Sequence, residues 1–177
     1  QSLKNIIAKG ETTTVEFKSW VKADSMKERI NLVVPELIAF ANTKGGTVYL
    51  GIEDNGEVTG CFGKYDLQNI CEAIYDKTRP SMFTDIEEID YQGKKIIAIS
   101  VTSDRNTYAT TDGRCLRRLG KNSKPYYPHE MSHIYSISQT PDFSSHIIAE
   151  SSVDDINFIV VYSLKEKLKI RDADSTL

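Results

Sequence analysis

Residues 39–60 read AFANTKGGTVYLGIEDNGEVTG, and this stretch decides how the rest of the chain is organised. It begins as the last turn of an amphipathic helix, breaks at Gly45 and Gly46, and continues as an apolar strand. Glycine lacks a Cβ and adopts positive φ freely, so the pair predicts a hinge between a helix and a strand. The turn after the strand presents two carboxylates, Glu53 and Asp54.

The segment before this hinge has the clearest helical pattern in the chain. Its apolar residues fall at positions 26, 30, 33, 34, 37, 38 and 41, which is the spacing of a helix with one face on a core. Ser25 and Glu28 stand at capping-box positions, and Pro35 lies inside the helix and predicts a kink. A second amphipathic helix is predicted over residues 64–77.

Alternating and β-branched segments predict the strands. Strands are expected over residues 12–18, 47–53, 84–91, 95–101, 108–110 and 114–119. The third and fourth would form a hairpin across Gln92-Gly93, and the last two another around Thr111-Asp112-Gly113, followed by a flexible loop. Short helices are expected at 2–8 and 129–137. Together these elements predict an α+β fold with a mixed, mostly antiparallel sheet and two or three packed helices.

Length and composition describe one domain with an extension. The chain has 177 residues, of which 40% are hydrophobic and 27% charged. Its three cysteines form no CxxC pair, which predicts a reduced, cytoplasmic protein. No apolar run approaches the ~18 residues of a membrane span, and no signal-peptide pattern opens the sequence, so no membrane partner is expected. The composition changes beyond Pro141, so residues 1–138 are predicted as the domain and 139–177 as a connector towards a further C-terminal part.

The charge of the chain is unevenly distributed. Residues 142–177 hold four basic and seven acidic side chains and account for the whole net charge of −3. Residues 113–129 contain no acid and carry a basic stripe, which consists of Arg114, Arg117, Arg118, Lys121 and Lys124. Cations on a strand and loop bind phosphates without reading sequence, and the neighbouring tyrosines at 126 and 127 can stack on unpaired bases. A solvated edge strand, whose cations prevent sheet-to-sheet pairing, explains the same stripe.

Three carboxylates stand where strands begin or end. Glu11 precedes the first strand, Glu16 lies near the end of that strand, and Asp54 closes the central one. If the three converge, they could hold Mg²⁺ or Mn²⁺, which prefer oxygen ligands, and such a site activates water for phosphodiester cleavage. Lys18 shares a face with Glu16 and could meet a phosphate. Solvated carboxylates at strand ends would produce the same spacing.

Two other motifs are not favoured. Residues 129–133 read HEMSH and match the H-E-x-x-H helix of zinc proteases, but the predicted helix is short and follows two prolines. The glycines at 45, 46 and 51 fit neither the dinucleotide-binding nor the Walker pattern. They are interpreted as turn glycines.

Several motifs in order resemble the Schlafen-type AlbA-like (divergent AlbA) domain. They are E-T-x-x-x-E-F-K from Glu11, A-F-A-N-T-x-G-G from Ala39 and G-I-E-D-x-G-x-V-x-G from Gly51. The segment LRRLG at 116–120 is similar to the arginine-glycine closing strand of that family, and the resemblance covers residues 10–131. It implies a module that binds nucleic acid, DNA foremost, at the N-terminus of bacterial proteins described as transcriptional regulators.

The same resemblance implies two other functions. Eukaryotic Schlafens use the module as a metal-dependent endoribonuclease on structured RNA, and their three-carboxylate site maps onto Glu11, Glu16 and Asp54. They pair two lobes in one chain, whereas this sequence contains one, so a homodimer is an expected partner. The third reading is an oligomerisation platform for an absent ATPase-like effector domain. The sequence leaves these three functions open, along with the choice between DNA and RNA.

Overall fold

The computed structural model describes residues 2–131, in which helices and strands alternate up to the third helix and strands then follow one another. The helices are α1 (Leu3–Lys9), α2 (Met26–Ala41) and α3 (Leu67–Lys77). The strands are β1 (Val15–Lys18), β2 (Gly46–Leu50), β3 (Thr78–Arg79), β4 (Asp85–Tyr91), β5 (Lys94–Val101), β6 (Ala109–Thr110), β7 (Leu116–Leu119) and β8 (Asn122–Pro125). A further helical turn begins at Pro128.

The main sheet has four strands in the order β1–β2–β5–β4. The β1–β2 pair is parallel and the other two pairs are antiparallel. Two small antiparallel pairs, β3–β6 and β7–β8, accompany it. The predicted α+β fold with a mixed, mostly antiparallel sheet is confirmed.

Helix α2 begins and ends as its sequence predicts. The Ser25 hydroxyl accepts from the Glu28 N–H at 3.2 Å, and the Glu28 carboxylate accepts from the Asp24 N–H at 2.9 Å. The first bond satisfies an N–H group that a helix start leaves without an intrahelical partner, and the second holds the residue before the cap. Pro35 lies inside the helix, and Asn42 is its C-cap residue.

The glycine hinge after α2 is confirmed by its geometry. Gly45 has φ of 75°, a region that side chains disfavour, and a Cβ on it would lie 2.7 Å from the Val101 carbonyl oxygen. A Cβ on Gly46 would lie 2.7 Å from the Thr14 carbonyl oxygen and 2.8 Å from the Phe40 ring. Both positions therefore require glycine where the chain turns from α2 into β2.

Both faces of the main sheet are covered. Val48, Leu50 and Ile97 lie in the larger core, which packs against α2 and α3. Phe17 and Tyr49 belong to a smaller core, against which apolar residues of α1 pack. Successive residues of a strand point to opposite faces of the sheet. Because both faces are covered, the side chains on either side of β1 lie against other parts of the protein.

The predicted second hairpin forms around its turn but is shorter than predicted. The Gly113 N–H donates to the Thr110 carbonyl and the Thr110 N–H to the Arg114 carbonyl, both at 2.9 Å, and Ala109 forms an antiparallel bridge with Cys115. The pairing ends there, and β6 pairs with β3 instead of with β7. The Asn42 amide explains the difference, because its nitrogen donates to the carbonyls of Tyr108 and Leu116 at 2.8 Å each. Those carbonyls are the groups that a longer hairpin would pair.

A second correction concerns the segment predicted as a flexible loop beyond that hairpin. Residues 122–125 form β8, which pairs with β7. No helix in the described part of the chain is both long enough and apolar enough to cross a membrane. The predicted connector at 139–177, and all but the start of the predicted helix at 129–137, lie outside the described residues.

Candidate nucleic-acid interface

The basic stripe lies mainly on the β7–β8 hairpin. Arg117 is the cross-strand partner of Lys124, and Arg118 is the partner of Ser123. Directly paired residues share a face and successive residues alternate, so the hairpin has an outer face with Arg117 and Lys124 and an inner face with Arg118 and Ser123. Lys121 lies in the turn between the strands.

Arg118, on the inner face, is buried to 1% side-chain exposure. Its Nη1 lies 2.9 Å from a Glu16 carboxylate oxygen and 3.0 Å from one of Glu36, and its Nη2 donates to the Thr12 carbonyl at 2.8 Å. The guanidinium also stacks over the Phe40 ring, 4.7 Å from its centroid. Arg118 therefore joins the hairpin to β1 and α2.

Lys18 and Ser123 complete this buried ion network. The Lys18 ammonium lies 2.6 Å from Glu16 and 3.3 Å from Glu36, and the Ser123 hydroxyl donates to Glu36. Burial raises the pKa of Glu16, and the hydrogen bond from Lys18 opposes that rise. Burial would lower the pKa of Lys18, but its bond to Glu16 and the Glu36 charge outweigh burial and raise it. Two cations against two carboxylates leave the network close to neutral.

The outer face of the hairpin and its turn point to solvent. Arg117 bonds to Glu130 and lies over the Tyr126 ring, 5.3 Å from the ring centroid. Lys121 and Lys124 are exposed, and neither has a salt-bridge partner within residues 2–131. Like charges at directly paired strand positions repel, so the Arg117–Lys124 pair favours an anion beside it.

Arg114 lies outside the hairpin. It follows the Asp112-Gly113 turn, is exposed, and bonds to Asp112 at 3.1 Å. Tyr126 is buried and Tyr127 is exposed, with the Tyr127 ring stacked on that of His129. Of the five stripe cations, four are accessible to a ligand and Arg118 is not.

Residues 11–127, about two thirds of the chain, match the model of the family described as Schlafen, AlbA_2. The chain belongs to this family. The predicted resemblance is thereby confirmed, and the hairpin described above lies inside the matched range of this Schlafen AlbA_2 domain.

Two solved structures are similar to this Schlafen AlbA_2 domain. The DIP2311 protein from Corynebacterium diphtheriae matches with a TM-score of 0.61 and 21% identity, over 78% of this chain and 28% of that one. The N-terminal domain of a RecG-related protein from Nitrosomonas europaea matches with a TM-score of 0.45 and 18% identity, over 70% of this chain and 92% of that one. The first likeness concerns the fold, and this chain spans little more than a quarter of the DIP2311 structure.

The three carboxylates that the resemblance assigns to a metal are each engaged by other groups of this Schlafen AlbA_2 domain. Glu16 is held by Arg118 and Lys18, whereas the Asp54 side chain is 71% exposed and pairs with Lys22 at 3.2 Å. Glu11 lies near Glu16, with its carboxylate accepting from the backbone of β1. Within residues 2–131, no group of three or more His, Cys, Asp or Glu side chains is arranged to hold a metal ion.

Sequence reasoning missed two residues that shape the site. Glu36 binds Arg118 and Lys18, and Asn42 bonds to the backbone beside the hairpin. In the sequence, Glu36 stands next to the apolar residues of α2. That position is the one indication that its side chain points towards the protein and not to solvent. Asn42 belongs to the A-F-A-N-T-x-G-G motif, but the motif does not say what its amide contacts.

Proposed function

We propose that this domain binds nucleic acid through phosphate contacts on the outer face of the β7–β8 hairpin and its turn. The observation that carries the proposal is the directly opposed pair of Arg117 and Lys124, with Lys121 in the adjoining turn. Exposed cations on a hairpin suit the phosphates of a nucleic acid, because each cation that neutralises a phosphate releases a condensed counterion. We take duplex DNA as the first candidate, in the setting of a transcriptional regulator.

The buried network supports this assignment by keeping the hairpin in place. Arg118 forms ion pairs with Glu16 and Glu36. Those carboxylates are therefore not available to pair with the cations on the outer face of the hairpin. Arg117 is partly offset by Glu130, which leaves Lys121 and Lys124 as the cations that an incoming phosphate meets first. Contacts of this kind give affinity without sequence readout.

The test is salt-dependent binding of a labelled DNA duplex and of a structured RNA. Replacing Lys121 and Lys124 together by alanine should weaken binding and reduce the slope of log K against log salt by about 1 for each lost phosphate contact. The matched control replaces Lys4 and Lys9, two exposed lysines of α1, and should leave both quantities unchanged. Equal affinity and slope for the hairpin variant and the wild type would remove the hairpin from the binding site.

A further inference from the structure

A second surface, far along the chain from the hairpin, combines an exposed aromatic ring with lysines. It is an open groove of about 790 Å³ between the 59–65 segment and the start of β5. Cys61 fastens the segment, since its N–H donates to the Lys95 carbonyl at 2.6 Å. A Cβ on Gly60, which has φ of 81°, would lie 3.1 Å from the Lys94 Cβ, so the two walls meet closely here.

Phe62 presents its ring in this groove. The residue is 61% exposed, yet its carbonyl accepts from the indole N–H of Trp20 at 3.1 Å. Trp20 is itself buried and packs edge-on against Tyr65, another residue of the groove, with ring centroids 5.2 Å apart. The backbone that carries the Phe62 ring is therefore anchored to the core, and the exposed ring offers its face to a flat ligand.

The charges around the ring favour an anion. Lys64, Lys94 and Lys95 line the groove, and Glu88 is its one acidic lining residue. The Glu88 carboxylate is occupied by Lys95 at 2.6 Å and by the Tyr65 hydroxyl at 2.5 Å.

The two other lysines remain open to a ligand. Lys94 donates to the Val58 carbonyl at 2.6 Å, a neutral acceptor that leaves its charge uncompensated. Lys64 is exposed and has no salt-bridge partner among residues 2–131. Asp90 is the cross-strand partner of Lys95 in the β4–β5 pair, and its carboxylate accepts a hydrogen bond from the Gly93 N–H.

We propose that this groove binds an aromatic base carrying a phosphate, with the base stacked on Phe62 and the phosphate against Lys64 and Lys94. Every base has a π-face, so stacking on an anchored phenyl ring is tolerant of sequence, and nearby ammonium groups hold the backbone. The base comes from an unpaired stretch of nucleic acid or from a free nucleotide. In the first case the proposal rests on the proposed function, because the same strand supplies phosphates to the hairpin.

The chain contains one tryptophan, and its position makes it a reporter for the groove. Trp20 bonds to the Phe62 backbone and contacts Tyr65, so a base stacked on Phe62 should change the Trp20 emission. We would titrate the protein with a ten-nucleotide oligothymidylate and, separately, with AMP. A response to the oligonucleotide alone assigns the base to a strand, and a response to both assigns the site to nucleotides in general.

Three variants decide whether Phe62 is the platform. Phe62→Ala should weaken oligothymidylate binding by about tenfold or more, which corresponds to the loss of one stacked base. Phe62→Tyr should restore it, and Phe83→Ala, which removes another exposed phenyl ring, should have no effect. No emission change with either probe, or equal affinities of wild type and Phe62→Ala, would overturn the proposal.

The hairpin variant separates this proposal from the proposed function. If duplex binding survives replacement of Lys121 and Lys124 while Phe62→Ala still weakens oligothymidylate binding, the hairpin proposal fails and the groove stands. If the hairpin variant loses duplex binding while Phe62→Ala changes nothing, the groove proposal fails alone. Thermal melting of each variant confirms that the domain is folded.

Discussion

Arg117 and Arg118 are neighbours in β7, yet their guanidinium groups meet opposite surroundings. Arg118 lies on the inner face of the hairpin, where it bonds to Glu16, Glu36 and a backbone carbonyl. Arg117 lies on the outer face with 40% of its side chain exposed. The alternation of a strand separates the two roles, so one arginine holds the hairpin and the other is available to a ligand. The number of basic residues in a stretch of sequence therefore does not tell how many of them can bind a ligand.

Replacing each arginine by alanine, one at a time, should give the largest difference between the two positions. Arg118→Ala should lower the free energy of unfolding by about 3–5 kcal/mol, because it leaves Glu16 and Glu36 with too little compensating charge in a buried site. Arg117→Ala should cost about 1 kcal/mol or less, since its ion pair is solvated. Urea denaturation measures both values, and equal losses would show that the inner and outer faces do not differ.

Asn42 holds the backbone at Tyr108 and Leu116 with an uncharged amide, in contrast to Arg118, which uses ion pairs. Its oxygen accepts from the Tyr108 N–H at 2.7 Å, while its nitrogen donates to two carbonyls. Asn42→Ala leaves those backbone groups unpaired and should cost about 1–3 kcal/mol. Asn31→Ala, at an exposed position of α2, is the matched control and should change stability by about 0.5 kcal/mol or less. Losses of the same size in both variants would mean that the amide bonds do not matter.

The smallest expected effect concerns metal. Glu16 is engaged by Arg118 and Lys18, and Asp54 is paired with Lys22, so residues 2–131 offer Mn²⁺ no set of converging carboxylates. Melting temperatures with Mn²⁺ and with EDTA should be the same. A rise with Mn²⁺ that Asp54→Asn abolishes would contradict this, and Mn²⁺-dependent tRNA cleavage lost in the same variant would favour the endoribonuclease.

Local elements were predictable because their causes lie within a few residues. The cap at Ser25, the apolar face of α2 and the hinge at Gly45 each depend on sequence neighbours, and all three are confirmed. The β4–β5 hairpin across Gln92-Gly93 is confirmed for the same reason. The opposite faces of Arg117 and Arg118 also follow from strand alternation alone.

The pairing of distant segments was not predictable from local pattern. The second predicted hairpin is shorter than predicted because Asn42, more than sixty residues away in sequence, bonds to the carbonyls that a longer hairpin would pair. The ion network joins Glu16 to Arg118 across 102 residues, and no spacing rule links them. Glu36 was missed because its polar side chain looks like one on any solvated helix face.

By itself, the sequence determined the family, the helix-hinge-strand unit at residues 26–50, and the presence of a basic stripe near residue 118. It could do so because propensity, capping and glycine geometry act over short separations. Only the tertiary structure decided which of those charges face solvent. The reason is that burial depends on what packs above each strand. Apolar clusters cover both faces of the main sheet around β1, and the inner side of β7 lies against β1 and α2. The two-residue alternation of a strand does not reveal either arrangement.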